Sequence, residues 1–197
     1  MRVLRFATTN PHKVREVRDL LAGVPVQVET LAGLPAIPEP DETDDTFEGN
    51  ARLKARYYAA RVPGTLVVSE DSGLEIDALG GAPGVHSARF LGPDATYAAR
   101  FDEILRRLTT VPDEQRTARF VCAMAVADGD RIVFETRGVV EGRIAAAPDG
   151  DGGFGYDPIF FSPHLGCTLA RAGDAKAAVS HRAQAVAALS RWARDLK

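Results

Sequence analysis

Residues Ser69-Glu70-Asp71-Ser72-Gly73-Leu74-Glu75-Ile76-Asp77 place four carboxylates in nine positions without one basic residue. They directly follow Thr65-Leu66-Val67-Val68, a short apolar, β-branched run of the kind that forms a buried strand. Carboxylates this close repel, and folding alone gives no reason to gather them where a strand meets a Gly-bearing turn. A divalent cation supplies one reason, because Mg²⁺ takes carboxylate oxygens and commonly fills its other positions with substrate phosphates. A solvated acidic loop is the other reading. The segment by itself leaves both open.

The rest of the chain alternates strand-like and helix-like segments. Val3 to Ala7 reads as a strand, and Asn10 with Pro11 is a favoured N-cap and first helical residue, with Val14, Val17 and Leu21 as the apolar face. A Pro-rich acidic segment from Leu34 to Asp45 reads as an exposed loop. A helix is expected from about Thr46 to Arg61, and another around Phe101, Ile104, Leu105 and Leu108. Ala118 to Ala127 and Arg131 to Thr136 flank Asp128-Gly129-Asp130 as a hairpin, and the chain closes on a helix carrying Ala183, Val186, Leu189, Ala193 and Leu196. Crossover and hairpin connections together mean α/β with a mixed sheet. At 197 residues and a net charge of −3, a single domain over residues 1–197 is expected, with no polyanion-binding surface and no anionic membrane partner. The apolar run at the N-terminus is short for a signal peptide and no segment has the length to span a bilayer, so a cytoplasmic location is expected. Cys122 and Cys167 have neither CxxC nor metal-ligand spacing, and Cys122 reads as a buried free thiol.

Three features sit against local rules. Helix N-termini favour acidic residues, yet the first helix opens Pro11-His12-Lys13 and the last, if Ser180 caps it, opens His181-Arg182. Side chains swinging into solvent account for one such start; an anionic ligand facing free N–H groups accounts for both. Lys54 falls on the stripe of Phe47, Ala51, Ala55, Tyr58 and Val62, where a lysine must snorkel, pair or serve a site. Gly152-Gly153-Phe154-Gly155-Tyr156-Asp157-Pro158 is a permissive loop that either lays a ring against a base or plugs the core with its aromatics. A Mg²⁺-bound nucleotide polyphosphate suits this set. The chain has no G-x-x-x-x-G-K-[ST], no Rossmann fingerprint and no G-x-S-x-G elbow.

The ordered segments Ala7-Thr8-Thr9-Asn10-Pro11-His12-Lys13 with Glu16, Ser69 to Leu74, Gly80-Gly81-Ala82-Pro83-Gly84-Val85 with Ser87-Ala88-Arg89, Gly153 to Phe160, and Ser180-His181-Arg182 closely resemble the inosine/xanthosine triphosphate pyrophosphatase family. The resemblance spans nearly the whole chain. It implies an elongated two-lobed α/β fold around a central mixed sheet, with the active site in the cleft, a homodimer, and Mg²⁺-dependent hydrolysis of dITP, ITP or XTP to the monophosphate and pyrophosphate. It further implies that Thr8, Thr9, Asn10 and Lys13 hold the triphosphate, with Lys54 reaching it. Glu42 and Asp71 bind Mg²⁺, Asp71 is the general base and Ser72 contacts substrate. Phe154, Gly155, Tyr156, Asp157, Lys176, His181 and Arg182 form the base pocket, with Arg182 or Lys176 facing the 6-keto oxygen. Three residues depart from the family pattern: Glu70 where Asp is usual, Thr9 for a common Gly, and Ala183 for the usual Gly. Two alternatives stand beside this reading: a related pyrophosphatase for modified pyrimidine nucleotides, and a silent nucleotide-binding protein whose metal site Glu70 spoils.

Overall fold

A computed structural model of the chain describes residues 2–24, 26–31, 33 and 36–196. Seven strands form one mixed sheet in the order β2-β1-β3-β4-β5-β6-β7: β1 (Arg2–Phe6), β2 (Val26–Thr30), β3 (Leu66–Ile76), β4 (Thr117–Asp128), β5 (Arg131–Ile144), β6 (Phe160–Ser162) and β7 (Cys167–Thr168). β1 pairs in parallel with both β2 and β3, whereas β6 runs antiparallel to β5 and to β7. The helices are α1 (Pro11–Leu20), α2 (Phe47–Ala59), α3 (Tyr97–Arg107), α4 (Ala175–Val179) and α5 (His181–Asp195). No helix among the described residues is long and apolar enough to cross a membrane.

The chain divides into two compact units, each with its own core. The first comprises Met1–Asp71, Cys122–Gly138 and His181–Lys197. Leu4 and Phe6 of β1, Val68 of β3, and Met124 and Val126 of β4 pack there with Val17 of α1 and Ala185, Val186 and Leu189 of α5. Burying a side chain as large as Phe6, 1% exposed, stabilises the fold by roughly 1.5–3 kcal/mol. The second unit comprises Ser72–Val121 and Val139–Ser180. Its core gathers Leu74 and Ile76 with Phe101, Ile104 and Leu108 of the α3 segment, and with Ile144, Tyr156 and Phe160.

Local chemistry explains the helix starts. Asn10 Oδ1 accepts the N–H groups of His12 at 2.9 Å and Lys13 at 3.3 Å, and Pro11 opens α1. Thr46 Oγ1 accepts the Gly49 N–H at 3.0 Å to start α2, and Thr96 does the same for α3 through Ala99. These side chains satisfy backbone donors that lack an intrahelical partner.

Several expectations need correction. The acidic run is not a turn: β3 carries on through Ser69, Glu70, Asp71, Ser72 and Gly73 to Ile76. The expected helix to Arg61 ends at Ala59, which leaves Val62 outside the stripe it was assigned to. β5 runs eight residues beyond Thr136 to Ile144. By contrast, the loop expected from Leu34 to Asp45 holds over its described part, residues 36–45, which contains no strand or α-helix; Leu34 and Pro35 lie outside the described residues.

Candidate active site

Two neighbouring carboxylates on β3 go to different partners because successive side chains on a strand point to opposite faces. Glu70 meets Lys13 of α1 (Nζ to Oε1, 2.9 Å) and Arg182 of α5 (Nε to Oε2 and Nη2 to Oε1, both 2.9 Å). The Cys122 thiol lies 3.5 Å from Oε2. Burial opposes the charge on Glu70, but the Arg182 and Lys13 charges outweigh it and hold the carboxyl well below the ordinary range. The other side of Arg182 donates from Nη1 to Glu16 of α1.

Asp71 faces α2. Lys54 Nζ lies 2.9 Å from Asp71 Oδ1 and 2.6 Å from Glu42 Oε1, so one ammonium bridges both carboxylates. Asn50 Nδ2 approaches Asp71 Oδ2 at 3.4 Å and donates to the Asp44 carbonyl at 3.0 Å, while Asn50 Oδ1 accepts the Asp44 N–H. Asn50 thereby ties the loop carrying Glu42 to the start of α2. Burial pushes the Asp71 carboxyl above its ordinary value and Glu42 adds to that, against the opposing charge of Lys54. Burial would lower Lys54, but Asp71 and Glu42 prevail and hold its ammonium above the ordinary value.

The four carboxylates of the acidic run are therefore neutralised at three separate places. Glu75 and Asp77 face Arg119 of β4, the latter at 2.8 Å. Among the described residues no three His, Cys, Asp or Glu side chains converge as a metal cage. Mg²⁺ ordinarily uses only one or two carboxylates and takes substrate phosphates and water for the rest. Glu42 and Asp71, already drawn to one cation, fit that donor set.

In the same unit Thr8 Oγ1 accepts the Asn10 N–H at 3.2 Å, and Thr9 Oγ1 donates to Glu39 at 2.6 Å. His181, 5% exposed, opens α5 beside Arg182. Gly138 of β5 explains how α5 starts so close to the sheet: a Cβ there would lie 2.0 Å from the His181 carbonyl oxygen. Sequence reasoning missed this glycine, since its backbone is ordinary and only the close approach betrays it.

The second unit holds the aromatic loop. Asp157 Oδ2 accepts the Phe154 N–H at 2.8 Å and the Lys176 ammonium at 2.7 Å, and Lys176 Nζ sits 4.9 Å from the Phe154 ring centre. Gly153, at φ 71°, allows this wrap: any Cβ there would come within 2.1 Å of Asp157 Oδ2. Tyr156 takes the core-plugging role. The residue is 3% exposed, and its hydroxyl donates to the Ser87 carbonyl at 2.8 Å. The Ser87 hydroxyl in turn accepts the Leu74 N–H. Tyr97 of α3 packs edge-on against Tyr156 with ring centres 5.4 Å apart, and its hydroxyl lies 3.7 Å from where a Cβ on Gly155 would be. Ser72 is half-buried on β3. Thus Phe154, Asp157 and Lys176 form one cluster, and Lys13, Glu70 and Arg182 another, whereas Lys54 joins Glu42 and Asp71.

A model described as the Ham1 family matches residues 4–192. A dITP/XTP pyrophosphatase of Geobacillus kaustophilus is 47% identical over 96% of this chain and 93% of its own. One from an Exiguobacterium species is 48% identical over 93% of this chain and 92% of its own. Among solved structures, a HAM1 protein from Coxiella burnetii superposes with a TM-score of 0.89 at 36% identity, covering 100% of both chains.

Proposed function

The chain belongs to the Ham1 family, and on that premise we propose that it hydrolyses deaminated purine nucleoside triphosphates (dITP, ITP or XTP) to the monophosphate and pyrophosphate. The observation that carries the reading is the Asp71–Lys54–Glu42 cluster, two carboxylates drawn to one ammonium.

In this mechanism Thr8, Thr9, Asn10 and Lys13 bind the triphosphate, and Ser72 contacts the substrate. Asp71 takes the proton from a water that attacks the α-phosphorus. The bridging oxygen between the α- and β-phosphorus leaves with pyrophosphate, and Lys13 and Lys54 stabilise the charge that develops on it. Glu42 and Asp71 would hold Mg²⁺, which supplies charge neutralisation on the phosphate oxygens when bound. Phe154 offers a ring to the base, with Gly155, Asp157, Lys176 and His181 completing its recognition. Lys176 donates toward the 6-keto oxygen, and an adenine amino group at that position would meet a donor where it needs an acceptor. The reading includes a homodimer, a single two-lobed domain and a cytoplasmic location.

The test is pyrophosphate release from ITP, XTP, dITP, dTTP, ATP and GTP, each with and without Mg²⁺. Mg²⁺-dependent release confined to hypoxanthine and xanthine nucleotides is expected. A preference for dTTP would move the assignment to pyrimidine nucleotides, and binding of ITP without turnover would make the protein a silent binder.

A further inference from the structure

Asn50 and Lys54 lie one turn apart on the same face of α2, and each joins the same two segments. Lys54 bridges Asp71 Oδ1 on β3 and Glu42 Oε1 on the preceding loop, at 2.9 and 2.6 Å. Asn50, fully buried, spans the same gap with a neutral amide. Its Nδ2 donates to Asp71 Oδ2 at 3.4 Å and to the Asp44 carbonyl at 3.0 Å, and its Oδ1 accepts the Asp44 N–H at 3.1 Å. One side chain thus holds both backbone groups of a residue two positions after Glu42.

Gly49 independently seats the same loop. A Cβ there would lie 1.9 Å from Asp44 Cγ, so the Asp44 carboxylate rests flush on the first turn of α2. From that position it accepts the Thr46 N–H at 2.9 Å and the Thr46 hydroxyl at 2.6 Å. The two bridges from α2 differ in how they respond to a metal. A divalent cation and an ammonium compete for the same carboxylate oxygens, whereas an amide bonded to a backbone carbonyl and N–H stays outside that competition.

We propose that Asn50 is a positioning residue for the metal, keeping Glu42 and Asp71 at a fixed separation when Lys54 no longer bridges them. This rests on the reading that Glu42 and Asp71 hold Mg²⁺. Lys54 then supplies charge to the empty site, and Asn50 supplies the geometry of the filled one. Groups that orient metal ligands from behind change metal affinity by about 10–100-fold when removed.

The experiment titrates Mn²⁺ alone, a paramagnetic ion that shares the preference of Mg²⁺ for oxygen ligands. It uses wild type, Glu42→Gln, Asn50→Ala and Asn50→Ser, with free Mn²⁺ read by electron paramagnetic resonance and folding by thermal melts. Glu42→Gln tests the underlying reading: affinity equal to wild type removes Glu42 from the metal site, and the proposal falls with it. With affinity lost in Glu42→Gln, Asn50→Ala is expected to bind Mn²⁺ about tenfold more weakly than wild type. The Mg²⁺ concentration that gives half the maximal rate with ITP rises in parallel, while kcat at saturating Mg²⁺ stays within about threefold of wild type. A residue serving only the fold would lower the melting temperature and leave the metal affinity in place. Unchanged Mn²⁺ affinity in Asn50→Ala therefore overturns the proposal, and so does a loss of kcat without a change in the Mg²⁺ requirement. If Asn50→Ala does not fold, Asn50→Ser decides by the same readouts, since a hydroxyl fills part of the space but cannot reach Asp44 and Asp71 together.

Discussion

Replacing Gly138 by alanine tests the seating of α5 through the sign of its effect. Gly138 lies inside β5 and does not have a positive φ. On conformational grounds alone, alanine there should stabilise the protein by about 0.4–1 kcal/mol, because it narrows the unfolded ensemble. The structure demands the opposite. The new Cβ would be 2.0 Å from the His181 carbonyl oxygen, where ordinary van der Waals contact begins at 3.4 Å. The blocking atom is backbone at the start of a 15-residue helix whose Ala185, Val186, Leu189 and Ala193 are packed in the core. No side-chain rotation relieves it, so the helix start must move by more than an ångström. Overpacking of this kind costs about 1–3 kcal/mol. At about 2–4 °C per kcal/mol for a chain of this size, the melting temperature should fall by roughly 2–12 °C. Differential scanning calorimetry reads the lower melting temperature directly. An unchanged or raised melting temperature would refute the close approach, and with it the claim that β5 fixes the first turn of α5.

Asp71→Asn should reduce hydrolysis by about 10²–10⁴-fold while leaving a folded protein that still binds ITP by calorimetry; turnover near wild type would remove Asp71 from the role of base. Arg119→Ala should return the Asp77 carboxyl, which hydrogen bonds from Arg119 and Thr117 hold below its usual value, towards about 3.9, as followed by NMR titration. A depressed folded-state pKa gives stability that is present above the unfolded value and lost as pH falls through the folded one. The urea-midpoint gap between wild type and Arg119→Ala should therefore be small at pH 7, about 0.2–1 kcal/mol for a largely exposed pair, and should close below pH ~4; a gap that widens on acidification would contradict the pairing. Burial, then the Glu70 charge, pushes the Cys122 thiol well above its ordinary value. Iodoacetamide should therefore label Cys167 in the native protein and Cys122 at least ~100-fold more slowly, and equal rates by peptide mass spectrometry would place Cys122 outside the core.

How much was legible beforehand depended on the range of the interaction that decided each feature. The start of α1 followed from Asn10 and Pro11, and α2 from its apolar spacing, because capping and periodicity are local. The β4–β5 turn followed likewise from Asp128-Gly129-Asp130. β2, β7 and α4 left too short a pattern to stand out. The acidic run was misread as a turn because its carboxylates are compensated from far along the chain, Glu70 by Lys13 and Arg182, Asp71 by Lys54, Glu75 and Asp77 by Arg119. No local window contains those partners. Lys54 announced itself as a lysine on an apolar stripe, whereas its ion pair with Glu42 was not legible at all, since the family resemblance gives Glu42 only as a Mg²⁺ ligand. The division of the Gly-rich loop was not legible either: Phe154 belongs with Lys176, and Tyr156 belongs to the core.

The opposed orientation of Glu70 and Asp71 also restricts how this chain can change in length. A residue inserted or deleted in β3 ahead of Glu70 would rotate every later side chain of the strand to the other face. The two acids would then trade environments, a longer one meeting Lys54 and Glu42, a shorter one meeting Lys13 and Arg182. Each would still find positive charge, so the swapped protein should fold around mismatched reach and fail only in turnover. The spacing from Leu66 to Asp71 is therefore fixed, and an insertion scan across those six positions should give folded, inactive products.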